Sequence, residues 1–276
     1  MDGPLCTLLF VGDVVGDAGC RALTKLLPKL KKEYGVDVCV VNGENAAQGN
    51  GLTRSAAEAL FAAGADCLTG GNHTFRRREI YDYLDASPCC LRPENYGPAA
   101  PGRGFCVVDK GSVRVGVVNL LGTVLLEPLE NPFDCADRTL ESLVDDVHFT
   151  VVDFHAEATA EKRAMGFYLD GKVAALVGTH THVQTADEQI LAGGTAYITD
   201  LGMTGPKQSV LGVTPALAIE KMRTHMPVRF QNPAGACLVQ GLLARIDKTT
   251  GKALSVQRIS LCDGETPGGT PCAAER

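Results

Sequence analysis

Lys172-Val173-Ala174-Ala175-Leu176-Val177-Gly178-Thr179-His180-Thr181-His182 is a short apolar run that breaks at a glycine into two histidines. The run at 172–177 is too short for a helix and is bounded by glycine, so it reads as a buried strand. The same event recurs along the chain. A strand expected at 6–12 ends at Asp13, and one at 36–41 ends at Asn42-Gly43-Glu44-Asn45. A strand at 66–70 ends in Gly70-Gly71-Asn72-His73, and one at 148–154 ends at His155. In open α/β sheets, ligands bind in the crevice outside the carboxyl ends of the strands. Five strands would therefore deliver polar residues to one edge.

Helix-length segments separate these strands, as an α/β fold requires. Helices are expected at 20–33, interrupted by Pro28, and at 53–63, capped by Thr53 and stopped by Gly64. A basic helix at about 76–84 and helices near 137–146 and 158–169 complete the set. Hairpins are expected at 105–109 with 113–119, through Gly193-Gly194, and at 236–246 with 253–261. Residues 199–206 read as a glycine-punctuated loop. With no repeat and no low-complexity linker, residues 1–263 are expected to form one domain, followed by a flexible polar tail at 264–276.

Composition narrows the function. The chain has 276 residues, 45% of them hydrophobic, enough for a full core. With 26 basic and 32 acidic residues its net charge is -6, which argues against a nucleic-acid polymer or a membrane surface as partner. A small anionic substrate would need a local positive centre, and bound metal supplies one. Eleven cysteines occur without any C-x-x-C pair, so they read as reduced structural thiols. The N-terminus has neither a signal-peptide pattern nor a membrane span, so a cytoplasmic protein is expected.

The strand-end residues form a mixed nitrogen and oxygen donor set. Three histidines, two carboxylates and one or two carboxamides suit manganese, iron or zinc better than calcium or magnesium. Six or seven ligands are too many for one tetrahedral ion. They suit two ions ~3.5–4 Å apart, with Glu44 as the natural bridge. His180 and His182, two residues apart in extended chain, would project to one side about 7 Å apart and reach neighbouring ions.

The series Gly12-Asp13, Asn42-Gly43-Glu44-Asn45, Gly71-Asn72-His73, His155 and Gly178-Thr179-His180-Thr181-His182 resembles the calcineurin-like metallophosphoesterase superfamily. Within it, the chain resembles the bacterial YmdB-type branch, described as cyclic-nucleotide phosphodiesterases. Arg92-Pro93-Glu94-Asn95-Tyr96 and Thr199-Asp200-Leu201-Gly202-Met203-Thr204-Gly205-Pro206 add to the match. The resemblance implies an α/β sandwich of mixed β-sheets flanked by helices, with the metal site at the C-terminal strand ends. One departure from the wider superfamily is that Val14 and Val15 follow Asp13, in place of its Asp-x-His motif; another is that Glu44 replaces an aspartate. Both are features of the YmdB-type branch.

By resemblance, Asp13, Glu44, Asn45 and His182 would hold one ion, and Glu44, Asn72, His155 and His180 the other. Attack by a hydroxide bridging two iron or manganese ions, or zinc, would hydrolyse a small phosphodiester such as 2′,3′- or 3′,5′-cyclic AMP. His73 would face the substrate as acid or charge stabiliser. Tyr96 would stack on a base, and Gly202 and Gly205 would offer N–H groups to a phosphate or simply make a tight connection. Asp17 reads as a helix cap, Asp153 as either a plain strand-end residue or one that supports the ligands, and Arg76-Arg77-Arg78 as a solvated face or subunit contact. His148 and His225 read as ordinary residues. A phosphomonoesterase, or a metal- or nucleotide-binding regulator with little turnover, are the alternative functions. Self-association into a homo-oligomer is expected by analogy.

Overall fold

The computed structural model describes residues 5–263. In chain order its strands are β1 (Leu5–Val11), β2 (Asp13–Val14), β3 (Val38–Asn42), β4 (Cys67–Thr69), β5 (Phe105–Asp109), β6 (Arg114–Leu121) and β7 (Phe149–His155). They continue as β8 (Ala175–Thr179), β9 (Gln189–Ile190), β10 (Ala196–Ile198), β11 (Met203–Pro206), β12 (Cys237–Asp247) and β13 (Ala253–Cys262). The helices are α1 (Gly16–Tyr34), α2 (Arg54–Ala63), α3 (Tyr81–Ala86), α4 (Pro132–Leu143), α5 (Thr159–Tyr168) and α6 (Pro215–Thr224).

The strands make two mixed sheets. One has the order β2-β11-β12-β1-β3-β4, with β13 paired to β12, and the other the order β5-β6-β7-β8-β10-β9. β1, β3 and β4 run parallel, as do β6, β7, β8 and β10. Alternation along each strand explains why two sheets stack. In β1, Cys6, Leu8 and Phe10 face the other sheet and meet Val115, Val117, Val151 and Val177. Leu9 and Val11 face outward under Leu23, Leu26 and Leu30 of α1. The outer face of the second sheet, with Val152, Phe154 and Leu176, is covered from α4 and α5 by Cys135, Leu143 and Met165. With both faces of both sheets covered, apolar runs persist through the parallel strands.

Several expectations shift. α1 begins at Gly16 and continues through Pro28 without a break. Pro28 lies on the exposed face, where water can satisfy the carbonyl it leaves unpaired. Asp17 is not a cap, because Val15 holds that position; Asp17 sits in the first turn, where the helix dipole favours an anion. The basic stretch forms two 3₁₀ turns, Thr74–Arg76 and Arg78–Ile80, before α3. α4 starts several residues before the expected helix, because Asn131 caps it by accepting from Phe133 N and Pro132 opens its first turn. Half of the loop expected at 199–206 is strand β11, and α6 was not anticipated. The α2 caps stand as expected, with Thr53 accepting from Ala56 N and Gly64 at a φ of 116°. The tail expected at 264–276 lies outside the described residues. Among the described residues, no helix is long and apolar enough to cross a membrane.

Candidate metal centre

The parallel register aligns the strand ends, pairing Asn42 with Thr69, and His155 with both Leu121 and Thr179. The residues that follow converge. His155 Nε2 lies 3.3 Å from Glu44 Oε2, 3.2 Å from Asn72 Oδ1 and 3.1 Å from His180 Nδ1. Around Asp13, His182 Nε2 stands 3.6 Å from Asp13 Oδ1 and 3.2 Å from the Asn45 amide nitrogen, which is 2.8 Å from Glu44 Oε1. Turning that amide over would present its oxygen instead. Glu44 thus reaches both groups, one through each carboxylate oxygen. The seven residues expected as ligands lie together here, with Glu44, His155 and His180 close enough to share one ion.

The donors fit ions. Atoms about 2.1 Å from a common ion stand roughly 3 Å from each other, close to the spacing around His155. Asp13 is fully buried, and its Oδ1 has no hydrogen-bond partner. A buried carboxylate oxygen without a hydrogen bond is costly, and a cation relieves that cost. Gly71 leaves the space open: a Cβ there would meet Glu44 Oε2 at 2.2 Å and His155 Cδ2 at 2.4 Å.

Burial opposes the charge on Glu44, yet His155 and His73 hold its carboxyl well below the usual range. Burial likewise opposes the charge on His155, but Glu44 and then Asp13 raise its pKa to about 9. Burial and the neighbouring His155 push the His180 pKa down, which favours its lone pair. Holding a metal ion would require the neutral form of His155.

Supporting bonds set the ring orientations. His155 Nδ1 stands 2.8 Å from Thr179 Oγ1, which donates to Asp153 Oδ1 at 2.7 Å. That chain turns His155 Nε2 toward the site. Asp153 also accepts from Thr69 Oγ1 at 2.5 Å and Asn42 Nδ2 at 3.0 Å, so one carboxylate ties β3, β4, β7 and β8 together across both sheets. Burial pushes its pKa up to about 6 against those donors. The supporting role expected of Asp153 thus acts through Thr179, and neither Thr179 nor the Asn42 side chain had been marked by sequence.

His180 and His182 do not lie in extended chain. β8 ends at Thr179, and the two histidines adopt positive φ of 105° and 63°. Each such residue costs about 1–3 kcal/mol and persists only where its surroundings demand it. The left-handed turn, rather than strand alternation, brings both rings inward. His180 Nε2 is 2.9 Å from Glu157 Oε2, and His182 Nδ1 is 3.2 Å from Leu211 O.

His73 stands beside the donors. Its Nδ1 is 2.9 Å from Asn45 Oδ1 and 3.1 Å from Glu44 Oε1, while Nε2 faces Asn50 at 3.5 Å. Arg76 and Arg78 are exposed, as a solvated face would be, while the half-buried Arg77 donates to Asn50 O at 3.1 Å and to Gln48 O, fastening the loop beside His73. Tyr96 packs edge-on against Phe75, with ring centroids 5.0 Å apart. The Gly202 N–H is spent on Asp200 Oδ1 at 2.9 Å, and Gly205 is buried in β11 opposite Leu238. These glycines serve close packing: a Cβ at Gly202 would meet Gln240 Oε1 at 2.3 Å.

Residues 9–259 match the family model described as YmdB-like protein. The chain belongs to that family. The 2′,3′-cyclic-nucleotide 2′-phosphodiesterase of Bacillus subtilis (strain 168) is 44% identical to it over 256 residues, covering 93% of this chain and 97% of that one. A solved phosphatase of Mycoplasma pneumoniae superposes with a TM-score of 0.88 at 33% identity, covering 95% of each chain. A solved hypothetical protein from Thermus thermophilus gives 0.87 at 36% identity, covering 93% of this chain and 99% of that one. YmdB-like membership makes this a calcineurin-like metallophosphoesterase, with the two mixed sheets that the sequence resemblance implied.

Proposed function

We propose that the protein is a dinuclear-metal phosphodiesterase of small cyclic nucleotides, with 2′,3′-cyclic nucleotides as the preferred substrates. The observation that carries this reading is the pair of donor groups meeting at Glu44, one of them containing Asp13, whose buried Oδ1 accepts no hydrogen bond and has His182 Nε2 3.6 Å away. Asp13, Glu44, Asn45 and His182 would hold one ion, and Glu44, Asn72, His155 and His180 the other. The mixed donors suit manganese or iron, and zinc is compatible. When bound, such ions polarise phosphoryl oxygens and activate an attacking water. The name of the Bacillus subtilis relative supports the choice of a cyclic diester.

The chain's own residues orient the substrate and move the proton. A proton on His73 Nδ1 can be held by Glu44 Oε1, 3.1 Å away. His73 Nε2 therefore donates only when the ring carries both protons, and in that state it can protonate the leaving alkoxide. The Gln48–Asn50 segment, fastened by Arg77, borders this position. A cytosolic location belongs to the same proposal, supported by Cys6, Cys39, Cys67 and Cys90, buried thiols outside any disulfide.

The test is hydrolysis of 2′,3′-cyclic AMP, 3′,5′-cyclic AMP and 3′-AMP by manganese- or iron-reconstituted protein. Faster turnover of 2′,3′-cyclic AMP than of either competitor is expected. Faster turnover of 3′-AMP would make the protein a phosphomonoesterase, and binding of a cyclic nucleotide without turnover would make it a regulator.

A further inference from the structure

Beside the centre lies a buried ion pair with no part in the chemistry just described. Lys162 of α5 and Asp200, in the loop between β10 and β11, are 1% and 0% exposed, and Lys162 Nζ lies 2.7 Å from Asp200 Oδ2. The same oxygen accepts from Thr181 N at 3.0 Å and from Thr181 Oγ1 at 2.7 Å. Asp200 Oδ1 accepts from Gly202 N at 2.9 Å. Thr181 is the residue between His180 and His182, whose positive φ values nothing in a strand ladder enforces. The lysine stem reaches Asp200 past Gly178, where a Cβ would lie 2.9 Å from Lys162 Cδ and 1.8 Å from Thr199 O.

A buried ion pair is weak evidence of stabilisation, because an apolar replacement of similar shape is often as good. Its placement therefore calls for another explanation. We propose that Lys162 and Asp200 are positioning residues that fold the His180-Thr181-His182 turn: Asp200 grips Thr181 at two points, and Lys162 keeps Asp200 aimed at it. With Thr181 anchored on Asp200, the residues on either side turn their imidazoles toward the centre. This inference rests on the metal-centre reading above and adds residues from two further elements to it.

The experiment is manganese titration followed by electron paramagnetic resonance, with metal content measured on the full chain. It compares wild type, Lys162→Met, Thr181→Val, Thr181→Ser and Lys31→Met. Lys162→Met is expected to weaken binding about 10- to 100-fold, as loss of a supporting partner does, and to remove the spin-coupled signal of paired ions. Thr181→Val, which keeps the N–H and loses the hydroxyl, should weaken binding less, and Thr181→Ser should restore it. Lys31→Met breaks the separate Lys31–Asp66 pair and should leave binding unchanged. Wild-type affinity and signal in both Lys162→Met and Thr181→Val would overturn the proposal. If Lys162→Met does not fold, the Thr181 pair decides alone. Wild type that binds two ions without hydrolysing any diester would sink the phosphodiesterase reading and leave this one standing.

Discussion

Glu44, Asn72 and His155 reach the centre at or just beyond the ends of parallel strands with no positive φ, whereas His180 and His182, just beyond β8, reach it on a turn with both residues at positive φ. The first group is located by burial and register: His155 pairs with Leu121 on one side and Thr179 on the other. The second is located by side chains from elsewhere, through Asp200 on Thr181, Leu211 O on His182 and Glu157 on His180. Strand-borne donors are preorganised by the fold itself. Turn-borne donors depend on a few polar bonds, so they should respond first when the centre is perturbed.

The largest effect that bears on this division comes from His73, which touches donors of one group without being counted as a ligand. His73→Gln should lower kcat by about 10²- to 10⁴-fold, the usual worth of a positioned acid, while metal analysis still finds two ions per chain. Loss of an ion would instead make His73 a ligand and redraw the division. Next comes Asp153→Asn, which alters the carboxylate behind His155. Metal affinity should fall about 10- to 100-fold, read by titration, with the loss confined to the ion held by His155. An equal loss at both ions would show that the strand-borne half is not independent. The smallest effect needs no substitution. After chelation, hydrogen exchange should speed up at the Thr181 and His182 amides and stay slow across 151–154; equal acceleration in both would break the contrast.

The strand-borne half was legible in the sequence. Apolar runs ending at Asp13, Glu44, Asn72 and His155 mark the carboxyl ends of strands, and sheet topology takes those ends to one crevice. The turn was not legible. An i, i+2 pair after a strand suggests extended chain, and no local signal announces a non-glycine residue at positive φ. The cause is tertiary, in Asp200 and Lys162. Gly202 and Gly205 were ambiguous for a related reason, since glycine at a phosphate cradle and glycine at a packed crossing look alike in one dimension. α4 was misplaced because the Asn131-Pro132 start signal was passed over, and Thr214-Pro215 marks the unanticipated α6 in a similar way.

The central claim is that Glu44 joins two ions into one hydrolytic centre. The most direct measurement compares wild type with Glu44→Gln for ions bound per chain and turnover of 2′,3′-cyclic AMP. The account predicts two ions and turnover in the wild type. The variant should lose at least one ion and fall on the order of 10³-fold in kcat, several kcal/mol of transition-state stabilisation. Full turnover by Glu44→Gln, or a wild type that hydrolyses the diester with no metal bound, would contradict it.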